Sequence, residues 1–235
     1  TGLRTLRYIT MNRSKQLTFP WSKPSKARFN HFFFEDKNFL AKEALYASDD
    51  LFIYGLNGAG KSFLLQSLCN FYADNGKTSL YLPIKKVKKH GPNFLDSLDS
   101  LDLICIDDID IIINDNNWEL AIFNLINNSL QTRCRLIFCS NLNPSDISFK
   151  LKDLISRLKK IDHIEIFPVS TDKLADALKF VSNLRSINLG EKEIKYILTH
   201  SRRNMSDLLG ILNQLDELSI QQKRKITIPL IKEVI

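Results

Sequence analysis

The 235-residue sequence has few of the features of secreted, membrane or zinc-binding proteins. Its four cysteines, Cys69, Cys105, Cys134 and Cys139, form no C-x-x-C pair, and its four histidines are scattered. Isolated cysteines of this kind favour buried thiols in a reducing compartment over a disulfide framework or a zinc site. No apolar run approaches the roughly 18–20 residues of a membrane-spanning helix, and Thr1–Thr10 lacks the apolar segment of a signal peptide. We therefore expect a cytoplasmic protein.

The composition is otherwise that of a globular protein with a surplus of positive charge. Hydrophobic residues make up 44% of the chain, charged residues 25%, and the formal net charge is +7. A basic surplus is typical of contact with DNA or with a DNA-bound partner, but a general lysine bias would give the same value. The basic run Lys85–His90 has the same two explanations, a phosphate-backbone contact or a solvated face. Charge alone does not decide between them.

The most informative stretch is Leu51–Phe71, in which an apolar run is followed by a glycine-rich loop and a helical pattern. Leu51–Tyr54 is typical of a buried parallel strand. Gly55–Ser62 fits G-x-x-x-x-G-K-[ST], the phosphate-binding loop, or P-loop. A glycine-rich turn with a chance lysine is disfavoured because both the strand and the helix are in the expected places. The sequence therefore predicts a site for a nucleoside triphosphate or diphosphate.

Phosphate binding explains each residue type in this loop. Glycines let the backbone approach phosphate closely, and the N–H groups and dipole at a helix start attract anions. Lys61 is predicted to reach the β- and γ-phosphates, and the Ser62 hydroxyl to bind Mg²⁺. The predicted nucleotide-binding residues of the loop are Gly55, Asn57, Gly58, Ala59, Gly60, Lys61, Ser62 and Phe63.

Two later apolar runs end in polar side chains suited to the same site. Leu103–Asp108 is a predicted strand that ends in two carboxylates, the Walker B pattern. Asp107 would then join Ser62 in holding Mg²⁺, and Asp108 would orient or deprotonate the attacking water. A further strand, Arg135–Cys139, is followed by Ser140 and Asn141, and we expect Asn141 to contact the γ-phosphate or that water.

Strands alternate with helices along most of the chain, which predicts an α/β doubly wound, parallel five-stranded αβα sheet. We expect residues 1–25 to form a flexible tail, residues 26–167 the α/β nucleotide-binding domain, and residues 168–235 a small helical lid. The predicted strands are 51–54, 79–83, 103–108, 135–139 and 163–167; the predicted helices before the lid include 93–101, 118–130 and 147–158.

Two aromatic-rich stretches have alternative explanations. In the tail, Leu17, Phe19 and Trp21 either dock as an extended peptide in a partner's groove or fold back on the core. Met11 is a candidate natural start, with residues 1–10 an upstream extension. Ahead of the P-loop, five phenylalanines either pack on a nucleotide base or belong to the core, and for most of them the core is favoured: Phe29, Phe32, Phe33, Phe34 and Phe39.

A P-loop, Walker B, a polar residue after the fourth strand and a helical lid together resemble AAA+ ATPases. Within that class the sequence resembles the Hda family of DnaA-related regulators. The resemblance lies in WELAIFNLIN after Walker B, LISRL before the fifth strand, and QQKRKITIPLIKEVI at the end. It covers nearly all of residues 15–235, and the final stretch is its most specific part.

The resemblance implies roles for further residues. Family members carry a QLxLP-type peptide that binds the sliding clamp, the β subunit of DNA polymerase III, and Gln16, Leu17, Thr18, Phe19 and Pro20 match it apart from the phenylalanine. They also carry an arginine finger, which falls at Arg157; a surface salt bridge is the alternative role. The lid pattern R-x-M-R is met here by Arg203–Ser206, with serine in the last place. Arg203 then becomes a candidate nucleotide contact, and the serine argues against efficient hydrolysis by this chain.

The resemblance implies a negative regulator of replication initiation that holds ADP or ATP with Mg²⁺. Tethered to the DNA-loaded clamp, it would present Arg157 to ATP on DnaA and stimulate hydrolysis there. One alternative is an autonomous AAA+ ATPase that loads or remodels a partner, which Asp107 and Asp108 would permit. A DNA-binding initiator of the DnaA type is disfavoured, because we expect no helix-turn-helix domain after the lid. A homo-oligomer is left open.

Overall fold

The computed structural model describes residues 26–98 and 100–235, so the predicted tail and its clamp-binding peptide lie outside the described residues. One parallel five-stranded sheet carries the nucleotide-binding part, with strand order β2-β3-β4-β1-β5. The α/β sheet prediction is confirmed. Its strands are β1 (Leu51–Tyr54), β2 (Ser79–Pro83), β3 (Leu103–Asp107), β4 (Arg135–Ser140) and β5 (Asp162–Glu165).

Helices flank the sheet and then follow it. The α-helices before the lid are α1 (Phe39–Tyr46), α2 (Lys61–Asp74), α3 (Ile84–Val87), α4 (Asn116–Thr132) and α5 (Lys152–Leu158); those of the lid are α6 (Leu174–Leu184), α7 (Glu191–His200), α8 (Met205–Gln222) and α9 (Ile228–Ile231). Short 3-10 turns lie at Phe29–His31, Asp36–Asn38, Lys88–His90, Asn93–Ser97, Ile109–Ile112 and Thr171–Lys173. The described part of the lid contains no strand of the sheet.

The central strands are apolar throughout because both faces of the sheet are covered. All residues of β3 and β4 are buried. Successive side chains alternate between two cores: Ile104 and Ile106 pack on the face that α4 covers, and Leu103 and Cys105 on the face of α2. This double burial fixes where each strand ends, and the loops that follow the carboxyl ends form one edge.

Two predicted helices differ from the structure. The stretch predicted as a helix over 147–158 is helical only from Lys152, because Ile147 and Phe149 are buried while Ser148 and Lys150 are exposed. That alternation has the period of extended chain rather than of a helix. In the predicted helix 93–101, Asn93–Ser97 forms a 3-10 turn instead, and the described residues of this stretch form no α-helix.

The lid has its own apolar core and is connected to the sheet through the segment that precedes α1. The Phe33 ring packs on Phe180 of α6 with 5.7 Å between ring centroids. The Asn38 amide pairs with Phe167 in both directions, as a donor to its carbonyl and an acceptor from its N–H, each at 2.9 Å. Glu35 accepts bonds from the backbone N–H and the hydroxyl of Ser170, both at 2.7 Å. The N-terminal segment therefore holds the chain where it passes from β5 to the lid.

None of the helices in the described ranges combines the length and the apolar character that crossing a bilayer demands.

Candidate nucleotide-binding site

The P-loop runs from the end of β1 to the start of α2 and requires glycine at two positions for different reasons. Gly55 has φ 145°, and a Cβ there would lie 2.2 Å from the Ile166 carbonyl oxygen. Gly60 has φ 91°, and a Cβ there would lie 2.5 Å from the Phe32 ring. Both positions therefore exclude a side chain, and the loop packs between the chain just after β5 and the aromatic segment before α1. This packing fixes the loop's shape ahead of ligand binding.

Lys61 begins α2 and is buried, with its ammonium turned back into the loop. Its Nζ donates to the carbonyl oxygens of Gly55 (2.7 Å) and Leu56 (3.0 Å), and to Oδ1 of Asn141 (3.0 Å). Three acceptors compensate the cost of burying the charge. The bond from Lys61 to Asn141 brings the polar residue after β4 to the P-loop lysine, a contact that the sequence analysis did not predict.

Asp107, at the end of β3, is a buried carboxylate held from two sides. Its Oδ1 accepts from the backbone N–H of Asp108 at 3.1 Å, and its Oδ2 accepts from the Tyr81 hydroxyl at 2.6 Å. Asp108 has the left-handed φ of 59° and lines the cleft beside the P-loop. The two carboxylates therefore point in different directions, one toward α2 and one toward the ligand cleft, which suits the two different roles predicted for them.

The surroundings of Asp108 favour its protonated form more than water does. Burial raises the pKa of the Asp108 carboxyl, and the carboxylates of Asp107 and Asp110 raise it further, while Lys61 lowers it. A raised carboxyl pKa moves the group toward the range in which a general base works. Asp108 is thus chemically suited to accept a proton from water at this edge of the sheet.

A cleft of about 730 Å³ lies between the P-loop and the lid. The predicted loop residues from Asn57 to Phe63 line it, together with Asp108 and Asn141. Phe32 and Phe33 also line it, whereas Phe29 is buried in the core and Phe34 packs against that core. Phe39 takes neither of the two roles that the sequence left open, because it is exposed and does not line the cleft. Such a volume suits a small-molecule ligand.

The lid contributes Met205 and Ser206, at the start of α8, to this cleft. Arg203 borders a different cleft on the lid, between α6 and α7, so its predicted contact with the nucleotide stays a prediction. The lid arginine that lines the nucleotide cleft is Arg185, whose Nη1 donates to Oδ1 of Asn213 at 2.5 Å. Sequence reasoning missed Arg185 because it follows α6 outside any motif.

Arg157 lies on α5, near its last turn, and the structure describes no hydrogen-bond or ion-pair partner for its guanidinium. Arg157 does not line the nucleotide cleft. The start of α5 is fixed from α4, because Oε2 of the buried Glu119 accepts from the backbone N–H of Leu151 at 2.8 Å. Arg157 is thus a half-buried cation on a firmly attached helix, away from the chain's own site.

The residues predicted to hold Mg²⁺ fit that ion by chemistry and placement. Asp107 offers a carboxylate and Ser62 a hydroxyl, both hard oxygen donors of the kind Mg²⁺ prefers. The two side chains lie close together, since the Tyr81 hydroxyl bonds Asp107 and interacts with Ser62 as well. No group of three or more histidine, cysteine, aspartate or glutamate side chains capable of holding a metal occurs in 26–98 or 100–235. A Mg²⁺ site of two protein oxygens, completed by nucleotide and water, stays a prediction.

This combination of fold and site defines an AAA+ P-loop nucleotide-binding protein. It comprises the parallel sheet, the P-loop, the helical lid, Asp107 and Asp108 at the end of β3, and Asn141 after β4. A model of the bacterial DnaA ATPase domain matches residues 25–161, more than half of the chain. A model of the Hda lid domain matches residues 171–235. The chain therefore belongs to the bacterial DnaA ATPase-domain family and is an Hda-like, DnaA-related AAA+ protein.

Solved structures share this fold at low sequence identity. Domain III of the Thermotoga maritima replication initiation protein DnaA is 20% identical, with TM-score 0.76, over 91% of this chain and 99% of that chain. AMPPCP-bound DnaA from Aquifex aeolicus is 22% identical, with TM-score 0.67, over 81% of this chain and 65% of that chain. The Thermotoga maritima RuvB branch migration motor is 14% identical, with TM-score 0.63, over 88% and 70%.

Proposed function

We propose that this protein is a negative regulator of replication initiation that stimulates ATP hydrolysis on DnaA. It holds ADP and Mg²⁺ at its own P-loop, is tethered to the DNA-loaded sliding clamp through residues 16–20, and presents Arg157 to ATP bound on DnaA. An arginine inserted into a neighbour's site neutralises charge that develops on the γ-phosphoryl group. Stimulated hydrolysis then converts DnaA to its ADP form and prevents re-initiation.

The observation that carries the proposal is the placement of Arg157. Its guanidinium has no partner within the described residues and does not line the chain's own cleft. An arginine with no use at its own site is suited to act on a neighbour's. The lid supports the same division of labour, since Ser206 lines the cleft at the last place of the R-x-M-R pattern. A chain that lacks this arginine is expected to hold nucleotide without hydrolysing it efficiently.

The test of Arg157 is the rate of ATP hydrolysis by DnaA in the presence of this protein, ADP and clamp loaded on DNA. Removal of an arginine finger is expected to lower the stimulated rate by about 10³-fold or more. We expect Arg157→Ala to abolish stimulation while ADP binding by the variant stays normal. Lys152→Ala, an exposed cation on the same helix, is the matched control and should retain full stimulation. Full activity of Arg157→Ala would refute the mechanism.

The tether is tested separately with Leu17→Ala/Phe19→Ala. This variant should lose stimulation when the clamp is loaded on DNA, because the two apolar anchors of an extended peptide supply most of its docking energy. Lys23→Ala, outside the peptide, is the control. Direct binding of both variants to purified clamp shows whether the loss arises from docking. Unchanged clamp binding by the double variant would remove the tether from the proposal and leave the role of Arg157 intact.

A second candidate function is autonomous ATP hydrolysis coupled to loading or remodelling of a partner. The placement of Asp108 and Asn141 on the cleft favours it, since both face the phosphate end of the site. The purified protein's own turnover separates the two functions. Turnover of about 1 s⁻¹ or more, an ordinary value for an enzyme, would favour the autonomous ATPase. Turnover far below that rate would favour the regulator.

A further inference from the structure

The Tyr81 side chain of β2 links the P-loop helix to the end of β3. It pairs in register with Cys105, so its ring lies on the same face of the sheet as Cys105 and Asp107. Its hydroxyl donates to Asp107 Oδ2 at 2.6 Å. On the other side it interacts with Ser62 and Gln66, which lie one turn apart on α2. The phenol therefore stands between the two residues predicted to hold Mg²⁺.

Packing alone does not account for the hydroxyl. The Tyr81 ring packs against the core cluster under α2, and a phenylalanine would fill that space equally well. Only the oxygen reaches the site. A buried phenol needs a partner, and a core tyrosine usually finds one in a backbone carbonyl or in water. Here the partner is the Asp107 carboxylate, whose other oxygen is already held by the Asp108 N–H. The two contacts together fix both oxygens of a buried carboxylate.

The phenol remains a donor throughout the physiological pH range. Burial raises the pKa of Tyr81 well above its usual range, and the negative charge of Asp107 and the hydrogen bond to it raise it further. Gln66 and Ser62 lower the pKa of Tyr81, as donors to a phenolate do, but do not reverse the shift. The Tyr81 hydroxyl therefore acts as a fixed hydrogen-bond donor to Asp107.

We propose that Tyr81 is a positioning residue for the metal part of the nucleotide site. Its hydroxyl aligns Ser62 with Asp107, so that the two oxygen donors are already placed when nucleotide and Mg²⁺ arrive. Residues that orient metal-binding side chains typically contribute 10–100-fold to metal affinity or activity. This inference rests on the proposed binding of nucleotide with Mg²⁺ and is independent of the proposed action on DnaA.

The test is Tyr81→Phe, with ADP affinity measured by calorimetry in Mg²⁺ and again in EDTA. We expect the dissociation constant in Mg²⁺ to rise about tenfold, the lower end of the range for such residues, while the value in EDTA changes less than about twofold. Tyr72→Phe is the matched control, because Tyr72 lies on α2 and its ring contacts Lys77 rather than the site. It should behave as the parent protein does under both conditions. Equal loss in Mg²⁺ and EDTA would indicate a general packing role and overturn the inference.

A double variant separates positioning from stability. If Tyr81 acts through Asp107, Asp107→Asn should already lose the Mg²⁺ dependence, and adding Tyr81→Phe should cost less than about twofold more. If the losses of ADP affinity in Mg²⁺ from Asp107→Asn and Tyr81→Phe simply add in the double variant, the inference is overturned. Circular dichroism and thermal unfolding establish that each variant folds. If the parent protein binds ADP equally in Mg²⁺ and EDTA, both the Mg²⁺ role and this inference fail; if only Tyr81→Phe is without effect, this inference fails alone.

Discussion

Glu119 and Leu151 are joined by a hydrogen bond of 2.8 Å from the Leu151 backbone N–H to Oε2 of a fully buried carboxylate. The other oxygen of Glu119 accepts from the Asn114 N–H at 3.0 Å. Leu151 is the N-cap residue of α5, so one side chain of α4 fixes both the loop before its own helix and the start of the helix that carries Arg157. Two N–H donors, and no cation, hold this charge in the described structure.

The first prediction concerns Glu119→Gln. A glutamine offers only one oxygen, so its NH₂ must face one of the two backbone donors, and we expect a loss of about 1–3 kcal/mol in the free energy of unfolding. A displacement of α5 by less than 1 Å should also lower the stimulation of DnaA by about tenfold, because a full shift of about 1 Å at a positioned group costs on the order of 100-fold. ADP affinity should change less than about twofold. Urea unfolding and the DnaA assay measure the two effects.

Glu217→Gln, at an exposed site on α8, is the control for Glu119→Gln and should leave both stability and stimulation unchanged. Unaltered stimulation by a clearly destabilised Glu119→Gln protein would show that α5 keeps its position without this bond.

The second prediction is a pH dependence that arises from Glu35. Burial alone would raise the pKa of Glu35, but the two bonds from Ser170 and the charge of Lys37 outweigh it, and the net shift is downward. A carboxyl with a lowered pKa in the folded state contributes stability above its unfolded pKa of about 4.3, and that contribution is lost as pH falls through the folded value. Glu35→Gln should therefore cost about 1 kcal/mol at pH 7 and progressively less below about pH 4.

Urea unfolding at pH 7, 5 and 3.5 checks the Glu35 prediction. Glu43→Gln, an exposed position on α1, should run parallel to the parent protein at all three pH values. A difference between Glu35→Gln and the parent that stays constant down to pH 3.5 would exclude titration of Glu35 as its origin.

The third prediction compares the two lid arginines. Arg185 lines the nucleotide cleft and is held by Asn213, whereas Arg203 borders another cleft. An exposed cation near an anionic ligand contributes about 1 kcal/mol, so Arg185→Ala should raise the dissociation constant of ADP about fivefold. The effect should shrink at 0.5 M salt because an exposed charge is screened.

Arg203→Ala is the comparison for Arg185→Ala, because it removes one positive charge from the lid without changing the lining of the nucleotide cleft. The structure leads us to expect an unchanged ADP affinity, although the R-x-M-R pattern favoured Arg203. The reverse ranking, with Arg203→Ala the weaker binder, would mean that the lid presents its other face to the nucleotide.

The sequence predicted those parts of the site whose chemistry is local. The P-loop, Asp107 and Asn141 each belong to a short motif at a strand end, and the contact of Lys61 with Asn141 follows once parallel strands bring those ends to one edge. Tyr81 lies in an apolar strand where an aromatic residue is ordinary, and its partner is 26 residues away. No rule based on the spacing of residues in the sequence predicts such a contact.

Other features escaped prediction because tertiary contacts overrode local pattern. Glu119 is a charged residue inside a predicted helix, and nothing in its sequence context indicates that it is completely buried and bonded to the Leu151 N–H. The stretch before α5 has a helical composition, but its first residues extend so that Ile147 and Phe149 reach the core. Arg135 opens β4 as an ordinary charged residue and is in fact buried, with its guanidinium donating to three carbonyl oxygens at the end of α1 and just beyond it: Ala44, Leu45 and Asp49.

The attachment of the segment before α1 has a mechanical consequence. A load that enters the chain at residue 26 is carried to α2 by the bond from Asn70 to the Ala27 carbonyl and by the ion pair of Arg28 with Asp74. Further along, the bonds of Glu35 and Asn38 carry it to Ser170 and Phe167. If the proposed tether through residues 16–20 is correct, a pull from a clamp on DNA would be delivered to the P-loop helix and to the segment between β5 and the lid. Under that proposal, tension on the chain and nucleotide in the cleft would both act on the contacts between the P-loop helix and the segment before α1.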